Sequence, residues 1–156
     1  MIEVDIPGRG VVRLRHLVLD VNGTIACDGV LIPGVVAALE ELRGVLSVVA
    51  VTADTHGTAR ALEAATGVEV RTIEPGEEAE QKLRLVEELG SEEVVAIGNG
   101  ANDAGMLQAA ALGVCVIGLE GAATHAMLVS DVVVTSIVDA LDLLRAPRRL
   151  VATLRR

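Results

Sequence analysis

Short aliphatic runs recur along the chain at intervals that leave room for one helix between each pair. The runs are IEVDI (2–6), VVRLR (11–15), HLVLDV (16–21), LSVVAV (46–51), VEVRT (68–72), EVVAIG (93–98), GVCVIG (113–118) and DVVVT (131–135). The first two flank the turn Pro7-Gly8-Arg9-Gly10 and read as a β-hairpin. Most of the later runs are apolar at nearly every position, the pattern of strands buried on both faces of a sheet. Between them the period changes. Val35, Val36, Leu39 and Leu42 fall at i, i+1, i+4 and i+7, which predicts an amphipathic helix over 34–43. Similar patterns predict helices near 57–66, 76–89, 102–111, 122–129, 136–145 and 147–156. Strand–helix alternation of this kind predicts an α/β fold with a doubly wound parallel sheet, preceded by a short N-terminal hairpin. With 156 residues and no repeat, linker or low-complexity tract, the chain reads as a single domain over 1–156.

Composition narrows the function. There are 13 basic and 22 acidic residues, a net charge of −9, and no Phe, Tyr or Trp. Such a chain repels phosphate backbones and lacks stacking platforms for single strands, so nucleic acid is not expected as a partner. No apolar run reaches the ~20 residues of a membrane span. With charges already at Glu3 and Asp5 there is no signal-peptide pattern either, so the expectation is a cytoplasmic protein without a membrane partner. Cys27 and Cys115 form neither a disulfide framework nor a metal-ligand spacing. His16, His56 and His125 share no close spacing, and His56, though near the predicted crevice, reads as structural or peripheral.

One basic residue stands out. Twelve of the thirteen are Arg, and Lys82 is the single lysine. It aligns with Leu85, Val86 and Leu89 at i+3, i+4 and i+7, on the stripe that faces the sheet. A lysine there, at the helix end nearest the strand tips, is placed to neutralise an anion.

In doubly wound sheets ligands bind beyond the carboxyl ends of the strands. The polar residues expected there are Asp20, Asn22 and Thr24, then Thr52 and Asp54, then Asn99, Asn102 and Asp103. A carboxylate at the tip of a buried strand is costly unless a metal or an ammonium pairs with it. Asp20 is therefore a candidate nucleophile and hard-metal ligand. VAIGNGANDAGML (95–107) is not a dinucleotide fingerprint, because Asp103 stands where a third glycine is needed and would repel a pyrophosphate. Simpler roles remain open: Asn102 or Asp103 as a helix cap, and Asp54 or Thr55 as another.

Taken in order, Asp20-Val21-Asn22-Gly23-Thr24, Thr52, Lys82 and Gly98-Asn99-Gly100-Ala101-Asn102-Asp103 resemble the motifs of the haloacid-dehalogenase-like phosphohydrolase superfamily. The segment after them looks like the corresponding part of P-type ATPase phosphorylation domains, so the chain resembles the small soluble, P-type-ATPase-like members. The resemblance implies a Mg²⁺-dependent phosphohydrolase or phosphotransferase acting on a phosphorylated small molecule. Asp20 would form an aspartyl-phosphate. Thr52, Ala53, Lys82 and Asn102 would hold the phosphoryl group, Asp103 would orient Lys82 or a metal-bound water, and Mg²⁺ would bind Asp20, the carbonyl of Asn22 and the side chain of Asn99.

Two positions depart from the family pattern, which has carboxylates where this chain has Asn22 and Asn99. An amide cannot shuttle a proton, and general acid–base catalysis is worth ~10²–10⁴-fold. The alternative reading is thus a catalytically impaired phosphate-binding or regulatory domain. A receiver-like signalling domain also uses a strand-tip Asp, a Thr and a Lys, but there the Lys follows a late strand, whereas Lys82 is helical. The gaps after Thr24 and before Lys82 are each about ten residues, too short for the cap domains family members often insert there. An open, capless crevice and the Leu/Val-rich helices predict a homo-oligomer.

Overall fold

The computed structural model describes residues 1–54 and 56–156, with the side chain of His56 also outside the description. The proposed cap at Thr55 and any contact of the His56 imidazole therefore fall outside the described residues.

The chain opens with a hairpin of β1 (Ile2–Ile6) and β2 (Gly10–Leu14), paired antiparallel with Ile2 opposite Leu14. Ile2, Val4 and Ile6 are buried and Glu3 and Asp5 exposed, the alternation of a half-covered sheet. This hairpin forms its own two-stranded sheet. Helix α7 (Pro147–Leu154) packs on β1, and the backbone N–H of Arg156 donates to the Pro7 carbonyl at 3.0 Å.

The main sheet has six strands: β3 (His16–Asp20), β6 (Ser47–Thr52), β7 (Glu69–Thr72), β8 (Val94–Gly98), β9 (Leu112–Val116) and β10 (Val132–Val134). Their order is β10-β9-β8-β3-β6-β7, and every pairing is parallel. The chain runs outward from β3 through β6 to β7, then returns to the other side of β3 with β8. The winding reverses beside β3, which makes its C-terminal end the topological switch point.

Helices cover both faces. Leu17 and Leu19 of β3 join one core cluster with Val35, Leu39 and Leu42 of α1 (Val35–Leu42) and Ile137, Leu141 and Leu144 of α6 (Ile137–Arg145). Val18 joins the opposite cluster with Leu85 and Val86 of α3 (Glu78–Leu89) and Met106 and Leu107 of α4 (Ala104–Ala109). Alternate residues of a strand point to opposite faces, so Asp20 projects to the same side as Val18, toward α3. The remaining helices are α2 (His56–Thr66) and α5 (Thr124–Val129).

The predicted strands and helices all form, with no end shifted by more than two residues. The pattern missed a second small hairpin, β4 (Ala26–Cys27) with β5 (Val30–Leu31), inside the segment after Thr24. Two-residue strands are too short to show a period. The turn between them is Asp28-Gly29, both with positive φ (51° and 77°), a hairpin turn that this dipeptide favours. Among the described residues no helix is long and apolar enough to cross a membrane.

Candidate functional site

Asp20 ends β3, and Lys82 sits one turn into α3, facing it. The Lys82 Nζ donates to Asp20 Oδ1 at 2.7 Å and to Asp103 Oδ1 at 2.7 Å, and lies 3.4 Å from Asn102 Oδ1. All three charged groups are buried, with 6, 3 and 0% of Asp20, Lys82 and Asp103 exposed. The periodic stripe that places Leu85 and Val86 in the core thus carries the single lysine into the dry end of the switch point.

Asp103 does more than balance charge. Its Oδ2 accepts the backbone N–H of Asn99 at 2.9 Å and of Gly100 at 2.8 Å. It ties the turn after β8 while its other oxygen holds Lys82. The close approach requires a glycine at 98, because a Cβ there would lie 2.6 Å from the Asp103 Cγ. Of the two capping roles left open, Asp103 therefore takes the form of a carboxylate reaching back to the turn.

Asp20 Oδ2 accepts from the Thr24 hydroxyl at 2.9 Å, and that hydroxyl also lies 3.3 Å from Asn99 Oδ1. One hydroxyl carries one proton, so it serves only one of these acceptors at a time. Asn99 is fixed on its other side. Its Nδ2 donates to the Gly121 carbonyl at 3.2 Å, and its own carbonyl accepts the Ala123 N–H at 2.8 Å. The amide orientation follows: the nitrogen faces the 118–123 loop and the oxygen faces Asp20.

Asn22 points across the cleft and donates from Nδ2 to Asp54 Oδ2 at 3.0 Å. Thr52 is buried at the tip of β6, where its Oγ1 accepts the Asp54 N–H at 3.1 Å. The residue of this turn that lines the cleft is Ala53.

These groups surround a cleft of about 220 Å³ lined by Asp20, Asn22, Ala53, Lys82, Asn99 and Asn102, together with Ile73, Gly100, Glu78 and Glu120. The two glutamates were not singled out in the sequence. Glu78 opens α3, where the backbone N–H groups of Glu78 and Gly76 hold its carboxyl below the usual range. Glu120 is exposed, in the turn after β9. Larger hollows of about 420 and 350 Å³ lie beside Pro147 and Ile117 and gather no comparable chemistry.

The electrostatics are lopsided. Burial, and then repulsion by Asp103, push the Asp20 carboxyl up to about 6 despite Lys82 and Thr24. Burial opposes the Lys82 ammonium, yet Asp20 and Asp103 together outweigh it and raise the Lys82 pKa above its ordinary value. Two carboxylates share one ammonium, and the surplus negative charge settles on Asp20, which has fewer donors than Asp103. Burial, then Asp28 and Glu120, push the Cys27 thiol up.

A divalent hard cation fits this donor set. Asp20 Oδ2 and Asn99 Oδ1 converge on one hydroxyl that satisfies only one of them, and the site carries uncompensated negative charge. Magnesium takes oxygen ligands, one or two of them carboxylates, and keeps several waters.

The site lies at the switch point of a capless parallel α/β sheet, with its strand-tip aspartate, helical lysine and tied glycine turn in the predicted order. A family model described as haloacid dehalogenase-like hydrolase matches residues 4–111, and the chain belongs to that family. An uncharacterized protein of Methanocaldococcus jannaschii is 51% identical over 84 residues, covering 51% of this chain and 90% of its own length. The structure is similar to a 3-deoxy-D-manno-octulosonate 8-phosphate phosphatase of Moraxella catarrhalis in complex with magnesium, phosphate and the sugar acid. That match has a TM-score of 0.70 at 14% identity and covers 89% of this chain and 90% of the other. It is also similar to a phosphoserine phosphatase in the form of a phospho-aspartyl intermediate analogue. There the TM-score is 0.67 at 12% identity, over 85% of this chain and 99% of the other.

Proposed function

We propose that the protein is a magnesium-dependent phosphohydrolase or phosphotransferase that works through an aspartyl-phosphate on Asp20. The observation that carries this is the Asp20 carboxylate at the tip of β3, 2.7 Å from the buried Lys82 ammonium, opening onto a small cleft. The phosphatases named above, with their magnesium and phospho-aspartyl forms, support it.

Asp20, Asn99 and the backbone carbonyl of Asn22 are the ligands assigned to Mg²⁺. The ion would neutralise phosphoryl charge, which a cleft richer in carboxylates than in cations otherwise repels. Asp20 attacks phosphorus, the bond to the leaving oxygen breaks, and the leaving group departs with that electron pair. Water then attacks phosphorus, releases inorganic phosphate and restores the carboxylate. Lys82, Asn102 and the turn at Thr52 and Ala53 are the groups assigned to the phosphoryl oxygens. Asp103 holds Lys82 and the 98–100 turn in position. The cleft volume and the absence of an inserted cap favour a small phosphorylated substrate.

The second reading is a phosphate-binding or regulatory domain with little turnover. It is favoured by Asn22, whose amide is engaged by Asp54 and carries no transferable proton. Hydrolysis of acetyl phosphate, p-nitrophenyl phosphate and a panel of phosphorylated metabolites, with and without Mg²⁺, separates the two. Turnover that needs Mg²⁺ and is lost in Asp20→Asn supports the enzyme. Phosphate binding without turnover supports the regulatory domain.

A further inference from the structure

We propose that Glu120 supplies the second carboxylate to the divalent cation, taking over the charge that Asn22 and Asn99 lack. The inference rests on the metal-dependent reading above.

Glu120 sits in the turn Gly118-Leu119-Glu120-Gly121, closed by a bridge between the two glycines and a Gly121 N–H to Gly118 carbonyl bond of 3.0 Å. This turn is fastened to Asn99 twice. Asn99 Nδ2 donates to the Gly121 carbonyl and the Asn99 carbonyl accepts the Ala123 N–H. It also packs on the loop after β3, since a Cβ on Gly118 would lie 3.2 Å from the Gly23 carbonyl. The turn that carries Glu120 is thereby held against both loops that carry the assigned ligands.

The side chain then reaches the right place. A Cβ on Gly23, whose φ is +83°, would lie 2.6 Å from Glu120 Oε2, 2.6 Å from Asn99 Nδ2 and 3.0 Å from Asn99 Oδ1. Glu120 Oε2 and the Asn99 amide therefore crowd one point beside Gly23, between Asn22 and Thr24. The other oxygen, Oε1, lies 4.0 Å from the Cys27 sulfur. Among the described residues no basic side chain pairs with Glu120, whereas the cleft it lines already holds Asp20. A carboxylate oxygen held beside the Asn99 amide, in the cleft that Asp20 also lines, has the chemistry of a hard-cation ligand, directly or through a bound water.

Calorimetric titration with Mg²⁺ and with Mn²⁺ tests this on the full chain. Glu120 is exposed, so Glu120→Gln leaves the fold intact. It should weaken both cations by about tenfold or more. Asn99→Asp in the Glu120→Gln background should recover the affinity. Glu78→Gln removes the same charge from the other glutamate that lines the cleft and should have the smaller effect. Glu120→Gln binding within twofold of the parent, or Glu78→Gln weakening it equally, overturns the proposal. Asp20→Asn separates this from the underlying reading. Loss of binding in Asp20→Asn with none in Glu120→Gln overturns only the role of Glu120. Binding that survives Asp20→Asn, or a parent that takes up neither cation, overturns the metal site itself.

Discussion

Asp20 and Asp103 share a single ammonium: each carboxylate places one oxygen 2.7 Å from Lys82 Nζ, and all three groups are buried. Among the described residues Asp103 has two backbone donors besides Lys82, whereas Asp20 has only the Thr24 hydroxyl. The unmatched charge therefore resides on Asp20, at the mouth of the cleft, where a cation or a phosphorylated ligand meets it.

That imbalance sets a pH dependence. The Asp20 pKa is raised from 3.8 to about 6 by folding, so between these values the native state binds more protons than the unfolded one. Its contribution is present below the lower value and lost as pH rises through the upper one. The loss is on the order of 3 kcal/mol at 1.36 kcal/mol per unit. The raised Lys82 pKa acts only at more alkaline pH. Asp20→Asn removes the charge but leaves the Lys82–Asp103 pair, so its stability relative to the parent should grow from pH 5 to pH 8 without divalent cations. Urea denaturation at both pH values checks this. A difference that is flat or shrinks with pH would refute the assignment, and Mg²⁺ should narrow the gap by stabilising the parent alone.

Lys82 carries the opposite test. Lys82→Ala leaves two buried carboxylates without a cation and should cost about 3–5 kcal/mol. It should also abolish vanadate binding, measured where far-ultraviolet circular dichroism shows the variant folded. Lys82→Arg keeps the charge and should restore stability more than vanadate binding, because a planar guanidinium does not replace a compact ammonium in a tight site. Vanadate bound by Lys82→Ala as by the parent would remove Lys82 from the phosphoryl site.

Gly98→Ala probes the tied turn. The added methyl meets Asp103 at 2.6 Å, and overpacking of a buried contact costs about 1–3 kcal/mol. Because Asp103 positions Lys82, vanadate affinity should fall together with stability. Stability lost with affinity unchanged would mean that Asp103 serves the fold and not the site.

Much of this arrangement is legible in the sequence because it follows from periods. The stripe through Lys82, Leu85 and Val86 determines that the lysine faces the sheet, and alternation along β3 puts Asp20 on that same face. The polar residues at the strand tips then follow from the parallel winding. What escaped has no period. Glu120 lies in a four-residue turn seventeen positions after Asp103, and its only local signal is the pair of glycines that frame it. Glu78 reads as an ordinary first-turn acid. The hydrogen bonds from Asn22 to Asp54 and from Asn99 to Gly121 join loops on different strands, and depend on the strand order, which hydropathy does not reveal.

The pairing of Asn22 with Asp54 leads to the strongest test of chemistry. With an amide at 22, the leaving group receives no proton from this position, so acyl and aryl phosphates should be turned over faster than alkyl phosphates. The aspartyl-phosphate should also persist, since the residue at 22 does not activate the attacking water. Asn22→Asp is nearly isosteric and places a carboxyl 3.0 Å from the Asp54 oxygen that the amide now engages. Two carboxylates at that distance cannot both ionise freely, so one keeps its proton to higher pH, as a general acid must. Turnover of alkyl phosphates should rise by ~10²-fold or more, with a bell-shaped pH dependence, and the lifetime of the intermediate should shorten. Asp20→Asn should be inactive in either background. If Asn22→Asp leaves alkyl phosphate hydrolysis at the parent level while Mg²⁺ still binds, residue 22 does not face the leaving group. The phosphate-binding or regulatory reading then accounts better for a site that keeps its nucleophile, its lysine and its tied turn.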